Sequence, residues 1–240
     1  MRAEQQSAFI LHHRPFRDTS QILDVFSREH GRLALVARGS RGQKSRLRGV
    51  LRPFMPLAMS WVQRSDLGTL TGAELRGRPL QLNGDALLSG YYVNELLLHF
   101  LHRHDPQPGI FDLYVRVIQS LCATDAVAPC LREFEIELLS QLGYALNLEH
   151  EAESHEPLQG EQSYDFRFEQ GPVKVARSEG PLVFAGTTLL AIAAREFENT
   201  DVLRAANRLL REVIHFHLGG KELKSRKVLL ELHRQRDSAG

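Results

Sequence analysis

Arginine and lysine crowd one short stretch of the 240-residue chain. Arg28, Arg32, Arg38, Arg41, Lys44, Arg46, Arg48 and Arg52 stand there against a single acid, Glu29. Cations spaced this closely gather phosphates by Coulomb attraction and counterion release, and need no base sequence to do so. A second basic run, with Lys221, Lys224, Arg226, Lys227, Arg234 and Arg236 against Glu222 and Glu231, lies near the end. Between them Glu149, Glu151, Glu153, Glu156, Glu161, Asp165 and Glu169 face only Arg167. A formal net charge of +1 therefore conceals a focused positive face. The plainer alternative for the first run is a solvated loop; so one-sided a charge balance favours phosphate binding.

Other residue types that do chemistry are present without the spacing that chemistry needs. His99, His102 and His104 lie near Asp105, and His215 and His217 form a second pair, but no HExxH or C-x-x-C accompanies them. A catalytic zinc needs three protein ligands in fixed geometry, so these read as surface or core histidines. Glu133 and Glu137 share a helix face opposite Phe134 and Leu138 and read as its polar side. Gly219-Gly220-Lys221 resembles a phosphate loop only superficially, and the full phosphate-loop pattern is missing. No nucleophile-elbow context surrounds any serine. Catalysis and a cofactor are not expected. Two cysteines, Cys122 and Cys130, exclude a disulfide framework and a four-thiolate zinc site. Met1–Leu11 has no signal-peptide core, and Leu182–Ala194 is too short to span a membrane; both fit a reducing cytoplasm.

The elements that must position the basic run read as β. Ala8–Leu11, Gln21–Phe26, Leu33–Ala37, Leu57–Val62 and Thr69–Leu75 are short apolar segments, with a hairpin through Gly31 and a turn at Asp66-Leu67-Gly68. Arg38–Arg48, with Gly39 and Gly42 and no usable apolar period, is an exposed loop. Five short strands suggest a small closed barrel, because closure removes exposed edges. Phe9, Phe16, Phe26, Phe54 and Trp61 are its aromatics, as base-stacking surfaces or as core. After Gly77-Arg78-Pro79 the period turns helical. Leu87, Leu88, Tyr91, Tyr92, Leu96 and His99 form one face. Ile110–Leu121, Leu131–Leu142 and Val202–His217 follow, the last stopped by Gly219-Gly220, and a final helix is expected through Val228–His233. Asn147–Phe184 is acidic and loop-like, with short strands at Tyr164–Phe168 and Val173–Val175. The expected architecture is α+β: a barrel over 1–78 and a mainly helical domain over 79–240 with a loop-rich, cysteine-free insertion at about 147–184.

The order of these segments resembles the bacterial recombination-repair family RecO. The likeness runs through Ala8-Phe9-Ile10-Leu11, Arg14-Pro15, Asp18-Thr19-Ser20, Leu23-Asp24-Val25-Phe26, Gly31-Arg32 and Val36-Ala37-Arg38-Gly39-Ser40-Arg41. It continues in Ser45-Arg46-Leu47-Arg48-Gly49 and Leu51-Arg52-Pro53-Phe54, then in Tyr92-Val93-Asn94-Glu95-Leu96-Leu97. Leu131-Arg132-Glu133-Phe134-Glu135, Leu142-Gly143-Tyr144 and Gly219-Gly220-Lys221 with Leu223-Lys224-Ser225-Arg226 complete it. The resemblance implies an OB-fold barrel followed by a helical domain. It implies a nucleoid-associated DNA-binding mediator that binds single and double strands and anneals complementary ones. With RecR, such a protein helps load RecA onto strands coated by the single-strand-binding protein SSB, whose C-terminal tail it contacts through the helical domain. Many family members carry a four-cysteine zinc module after the L-G-Y segment; Leu148–Val175 here has no cysteine, so no zinc is expected and any fold there is expected to rest on packing alone.

Arg38, Arg41, Lys44, Arg46 and Arg48 are the expected main phosphate contacts, with Arg32 and Arg52 beside them and Lys221, Lys224, Arg226 and Lys227 extending the footprint. Arg132, and secondarily Arg116, are the expected anchors for the SSB tail, which is acidic and ends in an apolar residue. The alternative for Arg132 is a surface pair with a neighbouring glutamate. Two other classes stay open: a non-catalytic adapter whose basic loop meets an acidic protein, and a metal-dependent enzyme built on His99, His102 and His104.

Overall fold

Five strands stand at the start of the chain: β1 (Arg2–Phe16), β2 (Ser20–Ser27), β3 (Gly31–Ala37), β4 (Leu57–Val62) and β5 (Leu67–Leu75). In the computed structural model, which describes residues 1–228, they close into a barrel in the order β1-β2-β3-β5-β4. All neighbours are antiparallel except β3 and β5, which run parallel through Ala34↔Leu67, Leu35↔Gly68 and Val36↔Thr69. This is the five-stranded OB-fold. Ile10, Leu23, Val25, Leu33, Leu35, Leu57, Met59 and Trp61 fill the interior.

β1 is far longer than the expected Ala8–Leu11. Its first half pairs with β4 and its second half with β2, so one strand serves two neighbours and closes the barrel. Many of its residues, such as Glu4, Gln5, His12, His13 and Arg14, are exposed, which hides the strand from a search for apolar runs. The β2–β3 hairpin turns at Gly31, whose φ is +66°. A Cβ there would lie 2.1 Å from the Asp105 carbonyl oxygen, so only glycine fits.

Two helices, α1 (Gly84–Phe100) and α2 (Pro108–Ala123), belong to the same compact unit as the barrel. Phe9 and Phe26, cross-strand partners on the outer face of β1 and β2, meet Phe111 and Tyr114 of α2 at ring-centroid distances of 5.0–5.7 Å. Asn94 of α1 is buried; its amide donates to the Leu11 carbonyl (2.8 Å) and its oxygen accepts from the Tyr114 hydroxyl (2.9 Å). Burial pushes the Tyr114 phenol far up from its ordinary pKa. The unit therefore runs through Asp125 and takes in the segment from Leu223, well past the last barrel strand, which ends at Leu75.

The second unit spans Ala126–Glu222. It holds α3 (Val127–Gln141), a sheet of β6 (Ser163–Arg167), β7 (Gly171–Val175) and β8 (Val183–Ala185) in the order β7-β6-β8, then α4 (Gly186–Ala193) and α5 (Thr200–His217). Leu131, Phe134, Leu138 and Leu139 of α3, and Val202, Ala206, Leu209 and Val213 of α5, bury the apolar faces read from the sequence. Asn199 caps α5 by accepting from the Asp201 and Val202 amides. At its other end Gly219 and Gly220 take positive φ, and the Gly220 N–H returns to the His215 carbonyl, as a glycine stop requires.

The 147–184 insertion differs from expectation in two ways. It holds a third strand leading into a short helix, where only two strands were expected. It also does not rest on packing alone. Glu151, buried, accepts from the backbone N–H groups of Glu153, Ser154 and Lys174, pinning the turn to β7. These bonds hold its carboxyl down at about 2. Tyr164 adds a hydroxyl acceptor for the Gln159 N–H. Of the helix expected at Val228–His233, all but Val228 lies outside the described residues.

Candidate nucleic-acid interface

The connection from β3 to β4, residues 38–56, carries most of the basic run, and it has an internal order that its sequence hid. Successive turns are closed by Ser45 N–H to Gly42 O, Arg48 N–H to Ser45 O and Leu51 N–H to Leu47 O. Leu47, Val50 and Leu51 recur at helical spacing and pack against the barrel core, which leaves Arg46, Arg48 and Arg52 outward. The start of the loop is tied down as well. The Ser40 hydroxyl donates to the Ala37 carbonyl (2.9 Å), and the Arg41 N–H reaches Thr19 O in the β1–β2 turn (2.8 Å). Near its end Phe54 is buried with a φ of +66°.

Arg38, Arg41, Lys44, Arg46, Arg48 and Arg52 are all exposed, and none pairs with a described acidic residue. Three of them, Arg41, Arg48 and Arg52, line a cleft of about 650 Å³ together with His13, Phe54 and Tyr91 of α1. Partial desolvation against the cleft wall, then repulsion from His12, lowers the His13 imidazole from its ordinary pKa and favours its neutral form. The cleft's charge therefore comes from guanidinium groups, which present planar forks of donors to phosphate oxygens.

Other expected contacts lie elsewhere. Arg32 is half-buried: its guanidinium donates to the Leu98 carbonyl at the C-terminal turn of α1 (2.6 Å), and burial lowers its pKa. It stabilises a helix end and stands apart from the exposed set. Lys221, Lys224 and Lys227 are exposed and Arg226 half-exposed, but none lines the cleft. Arg132 is buried on α3, donating to Glu135 (2.6 Å) and to the Asn207 side chain (2.6 Å). It does pair with a neighbouring glutamate, but in the interior. Arg116 is exposed on α2, near Asp112, whose carboxyl is held below the usual range chiefly by two bonds from Arg28.

Of the aromatics singled out in the sequence, Phe9, Phe26, Phe54 and Trp61 are buried and only Phe16 is partly exposed. An exposed ring at the cleft belongs instead to Tyr91, which the helical period places on the apolar face of α1; its 43% exposure contrasts with 6% for the next residue, Tyr92. Among the described residues no three His, Cys, Asp or Glu side chains form a metal-ligating group, and no helix is long and apolar enough to cross a membrane.

Comparison with known proteins matches the two halves of the chain to two family models. Residues 1–78 match recombination protein O N terminal, and residues 81–227 match recombination protein O C terminal. The chain belongs to the RecO family. It is 45% identical over 235 residues to the DNA repair protein RecO of Azoarcus sp. (strain BH72), covering 96% of this chain and 97% of that protein. It is 44% identical over 232 residues to that of Aromatoleum aromaticum (96% and 97%), and 43% identical over 236 residues to that of Nitrosococcus oceani (98% and 96%).

Two segments singled out in the sequence, Asn94-Glu95-Leu96-Leu97 and Leu223-Lys224-Ser225-Arg226, meet in the first unit. Glu95 of α1 accepts from the backbone N–H groups of Lys224 (2.9 Å) and Ser225 (2.8 Å) and from the Ser225 hydroxyl. This caps the helical turn at 224–228. Glu95 thus satisfies the N-terminal amides of that turn. The OB barrel also departs from the usual arrangement, in which the face of strands 2 and 3 takes the oligonucleotide. Here α1 and α2 cover part of the outer face of β2 and β3 through Phe26 and Arg32, while the basic residues of the 38–56 loop and its cleft stay exposed.

Proposed function

We propose that this RecO chain acts in DNA repair as a non-catalytic mediator that holds DNA backbones in the cleft of its barrel unit. The observation that carries this reading is the set of six exposed cations, none paired with a described acidic residue, on a loop whose apolar residues anchor it to the barrel. Such a surface binds single- and double-stranded DNA alike through phosphates. Annealing two strands is limited by phosphate repulsion and by encounter. A positive groove reduces the first and raises the local concentration of strands for the second. Sequence is then read by base pairing, so no bond chemistry is required of the protein.

In the same reading RecR and the acidic SSB tail are partners, and the chain aids RecA loading on SSB-coated strands. Arg116, exposed, is the more accessible tail anchor; Arg132 would have to exchange Glu135 and Asn207 for the tail. The test is strand annealing on SSB-coated complementary DNA with and without RecR. The reading expects annealing by the wild-type chain and its loss in Arg41→Ala/Arg48→Ala/Arg52→Ala. Equal annealing by both proteins would reject it. Binding to an acidic protein but to no oligonucleotide would favour the adapter reading.

A further inference from the structure

Three large aromatic rings are exposed among the described residues: Tyr91, Tyr144 and Phe216, at 43%, 43% and 41%. The two in the second unit already lie face to face with a neighbour, Tyr144 on His217 (4.1 Å, 23°) and Phe216 on Phe168 (4.6 Å, 15°). Tyr91 does not. Its ring contact is with Phe54, at 5.2 Å and an interplanar angle of 68°. An edge-on contact covers at most one face of a ring. Phe54 is itself immobilised beneath it. It is buried, and its ring lies so close to Gly90 that a Cβ there would come within 2.9 Å of it. Tyr91 is thus a ring on a firm base, at the wall of the cleft that Arg41, Arg48 and Arg52 line.

We propose that Tyr91 is a base-stacking platform, so that a single strand held through its phosphates by Arg41, Arg48 and Arg52 lays one base on the Tyr91 ring. The inference rests on the reading of the cleft as a DNA site and adds the discrimination that reading lacks. Guanidinium groups serve any phosphate polymer equally. A ring offers its face only to a base that is free of its own stack, and every base has such a face. In a duplex the bases are paired and stacked, so duplex DNA gains the phosphate contacts alone. Tyr91 therefore makes the cleft prefer a single strand.

The experiment measures binding of full-length protein to an oligothymidylate, to a duplex of equal length and to an abasic strand of equal length, each over a range of salt. Loss of one base-on-ring contact weakens binding about 5- to 150-fold. Tyr91→Ala should lose that factor on oligothymidylate, leave the duplex unchanged within about twofold, and keep the salt slope. Wild type on the abasic strand should match Tyr91→Ala on the intact strand. Tyr91→Trp should bind at least as tightly as wild type, and Tyr91→Leu, which keeps apolar packing on Phe54, should behave as the alanine variant. Tyr91→Ala and Tyr91→Leu binding oligothymidylate as wild type does, with a steep salt slope intact, would overturn the platform and leave the cleft standing. Wild-type protein that binds none of the three polymers would overturn both.

Discussion

Glu95→Ala removes the carboxylate that receives the chain's last described helical turn. Three donors converge on it: the N–H groups of Lys224 and Ser225 at 2.9 and 2.8 Å, and the Ser225 hydroxyl. A single hydrogen bond to a charged group contributes about 1.5–3 kcal/mol. The full sum is not recovered, because Lys224 is exposed and Ser225 half-exposed, and their amides regain water when the carboxylate is gone. Loss of a helix N-cap costs about 0.5–2 kcal/mol, and the geometry here belongs at the upper end. About 2 kcal/mol corresponds to roughly 30-fold in the local opening equilibrium. Amide hydrogen exchange reads this directly. In Glu95→Ala the Lys224 and Ser225 amides should exchange up to about 30-fold faster, while Leu23 and Val25 in the barrel keep wild-type rates. Glu95→Gln, which keeps one acceptor oxygen, should fall between. Unchanged exchange at Lys224 and Ser225 would refute the claim that Glu95 holds this segment.

Tyr114→Phe leaves the buried Asn94 oxygen without its donor while the ring still packs on Phe9, so the unit should lose about 1–3 kcal/mol in chemical denaturation. Glu151→Gln places an amide NH2 among backbone donors and should lower Tm. Its pH dependence follows from the sign of the shift. The folded carboxyl sits at about 2, below its ordinary 4.5. The unfolded chain therefore takes up the proton first as pH falls. The contribution is complete above about pH 5 and is lost as pH drops towards 2, so Tm of the wild type and of Glu151→Gln should converge over that window. Gly31→Ala meets both a positive φ and the Asp105 carbonyl, and should reduce stability by more than the roughly 1 kcal/mol of an unstrained glycine exchange, measured by thermal melting.

Periodicity and turn residues made the barrel legible, because Leu23, Val25, Leu33 and Leu35 alternate and Gly31 marks the hairpin. The helix faces of α3 and α5 were legible for the same reason. What was missed had its signal overwritten. β1 carries polar side chains on an exposed face, so backbone pairing to two neighbours defines it better than hydropathy does. The 38–56 loop hid Leu47, Val50 and Leu51 among arginines, and those three residues are what turn a charge run into a surface with a direction. Composition identified the cations but not their surroundings. Arg32 and Arg132 look like their neighbours in sequence, and only packing shows that one caps α1 and the other is paired inside the second unit. Tyr91 and Tyr92 are adjacent and chemically alike, and helix phase alone separates cleft wall from core. Glu151 lies in an acidic run that reads as loop-like, and three backbone donors, invisible in composition, give it a structural role.

The most direct test of the central claim is the salt dependence of single-strand binding, compared between wild type and Arg41→Ala/Arg48→Ala/Arg52→Ala. Each phosphate neutralised on a single strand contributes about −0.7 to the slope of log K against log salt. The cleft account predicts a steep wild-type slope and one shallower by about 2 in the triple variant, with weaker binding at every salt concentration. Identical slopes and affinities for the two proteins would contradict it.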